Sequence, residues 1–257
     1  MLGVVRSEWL KRKRSSATTL VIGGSLFTPA VVALVRLLYR RSLPPLYASA
    51  NFWPALWSAC WESMAVFFLP MAAILATSLV VQIEFRANAW KQLHALPVSM
   101  AAIFATKLFV ICVLLVQFLA LFNGGIYLSG MLPAWLLAAV PSPRGSFAAL
   151  PLWGDNWRYF VHCLPIVAAQ YLLALRSPNV LVPIGAGFLA WVGALAAVSS
   201  RYAIWWPYSY TIVQYIRDKP KGAQFAEFTN LHWLAAVWFI AITAVSYLLF
   251  ITKPERG

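Results

Sequence analysis

The sequence predicts an all-α integral membrane protein with six membrane-spanning helices, and three observations predict it. Hydrophobic residues make up 62% of the 257 residues and charged residues only 11%, where an ordinary soluble domain is about a quarter charged. The mean hydropathy is +0.75. The 13 Trp and the 15% aromatic share fit the gathering of Trp and Tyr at bilayer interfaces.

A spanning helix needs roughly 20 predominantly apolar residues. Before the first such run, Val4, Val5 and Trp9 share one helical face with Arg6 and Lys13 elsewhere. That fits a short interfacial helix lying on the membrane, or else a frayed terminus. Lys11, Arg12, Lys13 and Arg14 follow. A basic stretch before an apolar run also has the outline of a signal peptide, but this run is of span length and reaches Arg36 without a small-x-small site, so a retained first span is expected. Spans are expected at about 19–38, 64–83, 101–122, 158–175, 180–199 and 233–251, all within one domain, 1–257. Residues 126–140, IYLSGMLPAWLLAAV, are apolar but interrupted by Gly130 and Pro133. A seventh span after a turn at Asn123-Gly124-Gly125 is one reading; a re-entrant or interfacial segment fits the short, broken run better.

The basic cluster beside the first span orients the N-terminus to the cytoplasm, and six spans return the C-terminus to the same side. Two loops then lie outside, 123–157 and 200–232. Within the second, RYAIWWPYSYTIVQYI has the composition of a segment dipping into the headgroups. The formal charge of +13 matches basic loops against anionic lipid, and no basic soluble domain exists to bind nucleic acid. Cys60, Cys112 and Cys163 lie far apart with no CxxC or Cys/His cluster, which argues against zinc or a disulfide framework. No metal or cofactor is expected.

Catalytic patterns are absent from the sequence. His162 and Cys163 are adjacent, so they point to different helix faces. Neither HExxH nor GxSxG occurs, and Glu62 and Glu84 fall near span ends, where water is close. A secondary transporter needs coupling acids near the midplane; Gln82, Gln117 and Gln170 are the main polar groups there, and they serve equally to join helices. That class and a non-transporting membrane scaffold both remain open alternatives.

One segment stands apart: EFRANAWKQLHALPVSM, residues 84–100. Wound into a helix, Phe85, Ala89, Leu93 and Leu96 form an apolar stripe, with Glu84, Asn88 and Lys91 beside it. Pro97 ends the helix. On the cytoplasmic side such a helix either anchors headgroups through Arg86 and Lys91 or docks a partner, since Trp and Arg are favoured interface anchors.

The pattern of Glu84, Asn88, Trp90, Lys91, Leu93, Leu96, Pro97, Val98 and Ser99 resembles a segment of the permease subunits of type-2 ATP-binding-cassette (ABC) exporters, closest to the lantibiotic-immunity and bacitracin-resistance permeases. QYLLALRSPNVLVPIGAGF, 170–188, resembles that family's passage from fourth to fifth span, and WWPYSY, 205–210, its aromatic-proline region before the last span. Where the family more often has a basic residue after Val-Ser, this chain has Met100.

The resemblance implies that the helix between spans two and three is a coupling helix set in a cleft of a separate ATP-hydrolysing subunit. Trp90 and Leu93 would then pack, Glu84, Asn88 and Lys91 would fix the register, and Pro97 would end the lever. Arg176 and Asn179 would make a second cytoplasmic contact. It further implies two ATPase copies, a second permease copy, a bacterial cytoplasmic membrane, and export of hydrophobic or amphipathic cargo such as an antimicrobial peptide or drug. The chain carries no GxxxxGK[ST] phosphate loop, so ATP hydrolysis is expected on the partner.

Overall fold

The computed structural model describes residues 16–86, 99–219 and 230–252. The expected interfacial helix and most of the expected coupling helix lie outside these residues. The described residues form helices and connecting turns, with no strand among them. Five helices are long and apolar enough to span a membrane: Ser16–Leu38, Phe52–Ile83, Met100–Leu136, Leu152–Arg176 and Leu231–Ile251. The expected fifth span is a shorter apolar helix, Leu181–Ala197; its 17 residues rise about 26 Å at 1.5 Å each.

In chain order the α-helices are α1 (Ser16–Leu38), α2 (Leu43–Tyr47), α3 (Phe52–Ser63), α4 (Leu69–Arg86), α5 (Met100–Leu136), α6 (Leu152–Arg176), α7 (Leu181–Ala197), α8 (Tyr210–Arg217) and α9 (Leu231–Ile251). At one end of the bundle, the short-turn end, the turn 177–180 joins α6 to α7, and α4 ends and α5 begins. The connections 39–51 and 137–151, and the described residues that follow α7, collect at the other, the loop-rich end. The long helices α3–α4, α5 and α6 form the centre, with 61%, 56% and 61% of their most apolar windows buried, against 17% for α1 and 11% for α9. The flanking helices therefore present apolar faces outward, Phe27 and Leu34 from α1 and Val237 and Ile240 from α9.

Span two differs from its expected bounds of 64–83. Its helix begins at Phe52, and α3 runs into α4 through a π-helical stretch, Met64–Phe68. Pro70 is the cause. It has no N–H to give, and its ring crowds the carbonyl four residues back, that of Val66. The ladder widens, Leu69 N–H bonding to Met64 O, and the freed Val66 carbonyl accepts from Trp191 Nε1–H on α7 at 2.8 Å.

The turn expected at Asn123-Gly124-Gly125, and the re-entrant or extra-span reading of 126–140, are both corrected. One unbroken helix of 37 residues, α5, passes through these glycines and through Gly130 and Pro133. An interior glycine costs a helix about 1 kcal/mol relative to Ala, and close packing offsets that here. A Cβ on Gly125 would meet Pro29 of α1 at 2.9 Å, and one on Gly130 would meet the Trp53 ring at 2.6 Å. These glycines let neighbours approach closely instead of turning the chain. The loop beyond α5 shrinks to 137–151.

The re-entrant element lies elsewhere. Residues 201–217, expected among the headgroups, fold back into the bundle as 3₁₀ turns Arg201–Trp205 and Pro207–Ser209 followed by α8. Tyr208, Ser209, Tyr210, Thr211, Ile212, Val213 and Gln214 are all buried. At the hairpin tip Gln170 Nε2–H donates to the Tyr208 hydroxyl at 2.9 Å, within about two turns of the end of α6. Trp206 Nε1–H donates to Ala190 O at 2.8 Å. The aromatic residues that read as interfacial are thus divided. Trp205 and Tyr202 are exposed, while Tyr208 and Tyr210 are core.

Candidate functional site

The sequence places the candidate site at the short-turn end, and local chemistry builds that end from three pieces. Ser99 caps α5 with extended backbone, its Oγ accepting from Ala102 N–H at 3.3 Å, so the serine of LPVS starts the helix. Asn179 closes the α6–α7 turn, its Oδ1 accepting from Leu181 N–H and its carbonyl from Ser177 Oγ–H, both at 3.0 Å. That is the local backbone bonding for which Asn is favoured in turns. Gln82, in the last turns of α4, donates Nε2–H to Ser177 O at 2.9 Å.

The last bond joins the α6–α7 turn to α4 just before that helix ends. A second link, Tyr171 O–H to Phe104 O at 3.0 Å, holds the first turns of α5 against α6. The end of α4, the start of α5 and the 176–180 turn therefore converge, and Arg176 and Asn179 stand exposed there. Asn88, Trp90, Lys91, Leu93, Leu96 and Pro97 lie outside the described residues, and of Glu84 only the backbone, within α4, is described. Gln82, weighed from sequence as a midplane group or a helix joiner, is the joiner.

Sequence reasoning did not find the polar network at the loop-rich end. Tyr47 O–H donates to Gly130 O at 2.8 Å, and Arg36 stacks over the Phe52 ring at 4.7 Å while reaching the Tyr47 hydroxyl at 3.4 Å. Burial raises the Tyr47 phenol above its ordinary pKa, with the Arg36 charge opposing. Trp57 Nε1–H donates to Asp155 at 3.1 Å, and Asn123 donates to Asn156 at 2.8 Å. The re-entrant hairpin is tied in by Tyr215 O–H to Glu62 at 2.9 Å and Lys219 Nζ–H to Ser58 Oγ at 2.8 Å. Burial first, and the Glu62 carboxylate second, push the Tyr215 phenol up, so it serves as a donor. Glu62, which the sequence reading put near a span end, lies inside the long α3–α4 run, where it is exposed and accepts from Tyr215.

Aromatic exposure follows the same division. Trp135, Trp153, Trp157 and Trp233 are exposed at the loop-rich end, as suits an interfacial belt, while the exposed Trp205 and Trp206 belong to the hairpin, Trp206 lying beside Ala190 of α7. No group of three or more His, Cys, Asp or Glu able to hold a metal occurs among the described residues.

One comparison identifies relatives. The model of a protein family described as ABC-2 family transporter protein matches residues 4–193. No curated protein matches the chain, and no solved structure does. The family match covers the first four expected spans and most of the fifth, including all three pieces of the short-turn site, and stops before the re-entrant hairpin and α9.

Proposed function

Because the chain belongs to the ABC-2 family of transporter proteins, a family whose membrane component works with an ATP-binding ABC subunit, we propose that it is the permease of an ABC exporter. In this reading six helices span the membrane, α7 being the short one, and the short-turn end with both termini faces the cytoplasm of a bacterial cell. Two permease copies and two ATPases form the working unit. The cargo is hydrophobic or amphipathic, which suits the scarcity of charge in the spans.

The observation that carries the reading furthest is the Gln82–Ser177 bond. It lies at the root of the segment that would enter the ATPase cleft, and it ties that root to the second expected contact, Arg176 and Asn179. A push on the segment therefore moves α4 and the α6–α7 turn together. Along α4 the push arrives at the Met64–Phe68 stretch. There one widened turn takes the place of straight helix, and a hydrogen bond to α7 crosses to the next element. π-Helical insertions recur at functional positions, and this one lets the two halves of span two change angle without breaking the run. Closure of the ATPase pair thus becomes a re-packing of α4, α6 and α7, and cargo leaves between the two permeases. In this scheme Trp90 and Leu93 are the packing anchors, Glu84, Asn88 and Lys91 set the register, and Leu96 and Pro97 end the lever.

The test is copurification from native cells in mild detergent. A stoichiometric soluble subunit with a phosphate-binding loop is expected. Trp90→Ala combined with Lys91→Ala should lose that subunit while keeping the parent's thermal stability. A double mutant that retains the ATPase and transports normally overturns the docking role. Transport that follows a proton gradient and ignores nucleotide overturns the ABC assignment and favours a secondary transporter.

A further inference from the structure

His162 of α6 and His232, in the first turn of α9, stack with ring centroids 4.5 Å apart and planes 20° from parallel. His162 is completely buried. Neither its Nδ1 nor its Nε2 has a hydrogen-bond partner among the described residues, whereas buried polar groups are normally paired. Among the described residues, the charged and titratable groups facing His162 are His232 from α9, Arg217 from α8 and Arg158 from its own helix; Asp218 joins them at His232 only. A neutral ring fits this setting. A protonated ring does not, since it would hold a desolvated charge with no acceptor among the described residues, near the Arg158 and Arg217 guanidinium groups. At His232 the positive end of the α9 dipole also opposes a proton.

The mechanical setting gives the pair leverage. α9 is the least buried of the five long helices. Near its start it is held by the stack and by a small apolar cluster, Leu231 and Ala235 of α9 against Ala203, Tyr210 and Val213 of the hairpin. His232 is only half-buried, so a proton from the aqueous side reaches it first.

We propose that the His162–His232 stack is a proton-binding latch: while neutral it holds the loop-rich end of α9 on α6, and on protonation it releases that end. The direction follows from the charges. The closed form binds fewer protons than the open one, so it is favoured at neutral pH and lost as pH falls. The latch lies in a part of the chain that the family match does not reach on the α9 side, and it does not depend on an ATPase being bound.

The test is a distance measurement on the full chain in lipid nanodiscs. Spin labels go on Trp157→Cys in α6 and Val237→Cys in α9, both exposed positions, with Cys60, Cys112 and Cys163 replaced. Labelled protein is diluted with unlabelled protein so that only distances within one chain register. Between about pH 7.5 and pH 4, from the range in which imidazole ordinarily titrates to below it because the closed stack resists the proton, one narrow distance should give way to a longer, broader distribution. His162→Phe with His232→Phe keeps a ring stack that cannot take a proton, and should stay narrow throughout. If that pair does not assemble, His232→Gln alone should move the release to lower pH or remove it. A parent distance that ignores pH overturns the proposal. So does a Phe pair, or a Gln variant, that responds at the same pH as the parent.

Discussion

The two ends of the bundle are built on different terms. At the loop-rich end, long side chains bond across elements far apart in sequence: Tyr47 to Gly130, Trp57 to Asp155, Glu62 to Tyr215 and Ser58 to Lys219. Among the described residues at the short-turn end, the Ser99 cap and the Asn179 turn bond locally, and Gln82–Ser177 and Tyr171–Phe104 bond across elements. The difference teaches that the end opposite the proposed entry of mechanical work is braced by side chains that reach between distant elements. A lever needs such a brace, because a push is transmitted only where something resists it.

The largest test of the brace is Gly130→Leu. Trp53 occupies the space a side chain would need, at 2.6 Å from the Cβ position, and Leu56 lies at 3.2 Å. Trp53 itself stacks on Tyr127 and meets Phe147 edge-on, so it has no empty volume to enter. The cost should reach the upper part of the roughly 1–3 kcal/mol typical of overpacking, read as a large fall in thermal stability by fluorescence-detected size exclusion. Gly124, with nothing within 4 Å of its Cβ position, is the control. Gly124→Ala should gain up to about 1 kcal/mol of helix propensity. If Gly124→Ala destabilises instead, the chain needs a turn there, and the continuous α5 is wrong.

The second test falls between the ends, at the Val66 carbonyl. Trp191→Phe keeps an aromatic ring of smaller volume and removes the N–H, leaving the part-buried Val66 carbonyl unpaired at about 1–3 kcal/mol. Pro70→Ala restores a backbone N–H that can serve the same carbonyl. Trp191→Phe should therefore cost less in the Pro70→Ala background, with a coupling of about 1 kcal/mol in the double-mutant cycle. Simple additivity would separate the π stretch from Pro70 and remove the joint from the lever.

Hydropathy made the long apolar helices legible, because transfer into lipid depends on composition alone. The expected 19–38 and 233–251 correspond to Ser16–Leu38 and Leu231–Ile251. It failed wherever a partner decided the outcome. Gly124, Gly125, Gly130 and Pro133 read as a break, because their cost is local while the compensation, Pro29 and Trp53, lies far away in the chain. Residues 201–217 read as interfacial, because Trp and Tyr have the same composition whether they face headgroups or bond to Gln170 and Ala190. At the candidate site, Arg176 and Asn179 were named through the family resemblance, and both stand exposed in the turn between α6 and α7. Gln82 was named for its polarity, but its partner, the Ser177 carbonyl, carries no side-chain signature in a sequence.

The smallest structural effect is expected at the short-turn end, and it bears most directly on the proposed function. Asn179→Ala removes the acceptor for Leu181 N–H from an exposed turn, a loss of about 0.5–1 kcal/mol by analogy with helix caps. Thermal stability should hardly move. Gln82→Leu, which leaves the Ser177 carbonyl without its donor, should cost about as much as one ordinary hydrogen bond, roughly 1 kcal/mol. On the proposed function both changes loosen the link between α4 and the turn, so stimulated ATPase activity and transport should fall well beyond what the stability loss explains. Equal, small losses in stability and activity would make this end a plain helix junction. A large loss of activity at nearly full stability would mark it as the place where force enters the membrane.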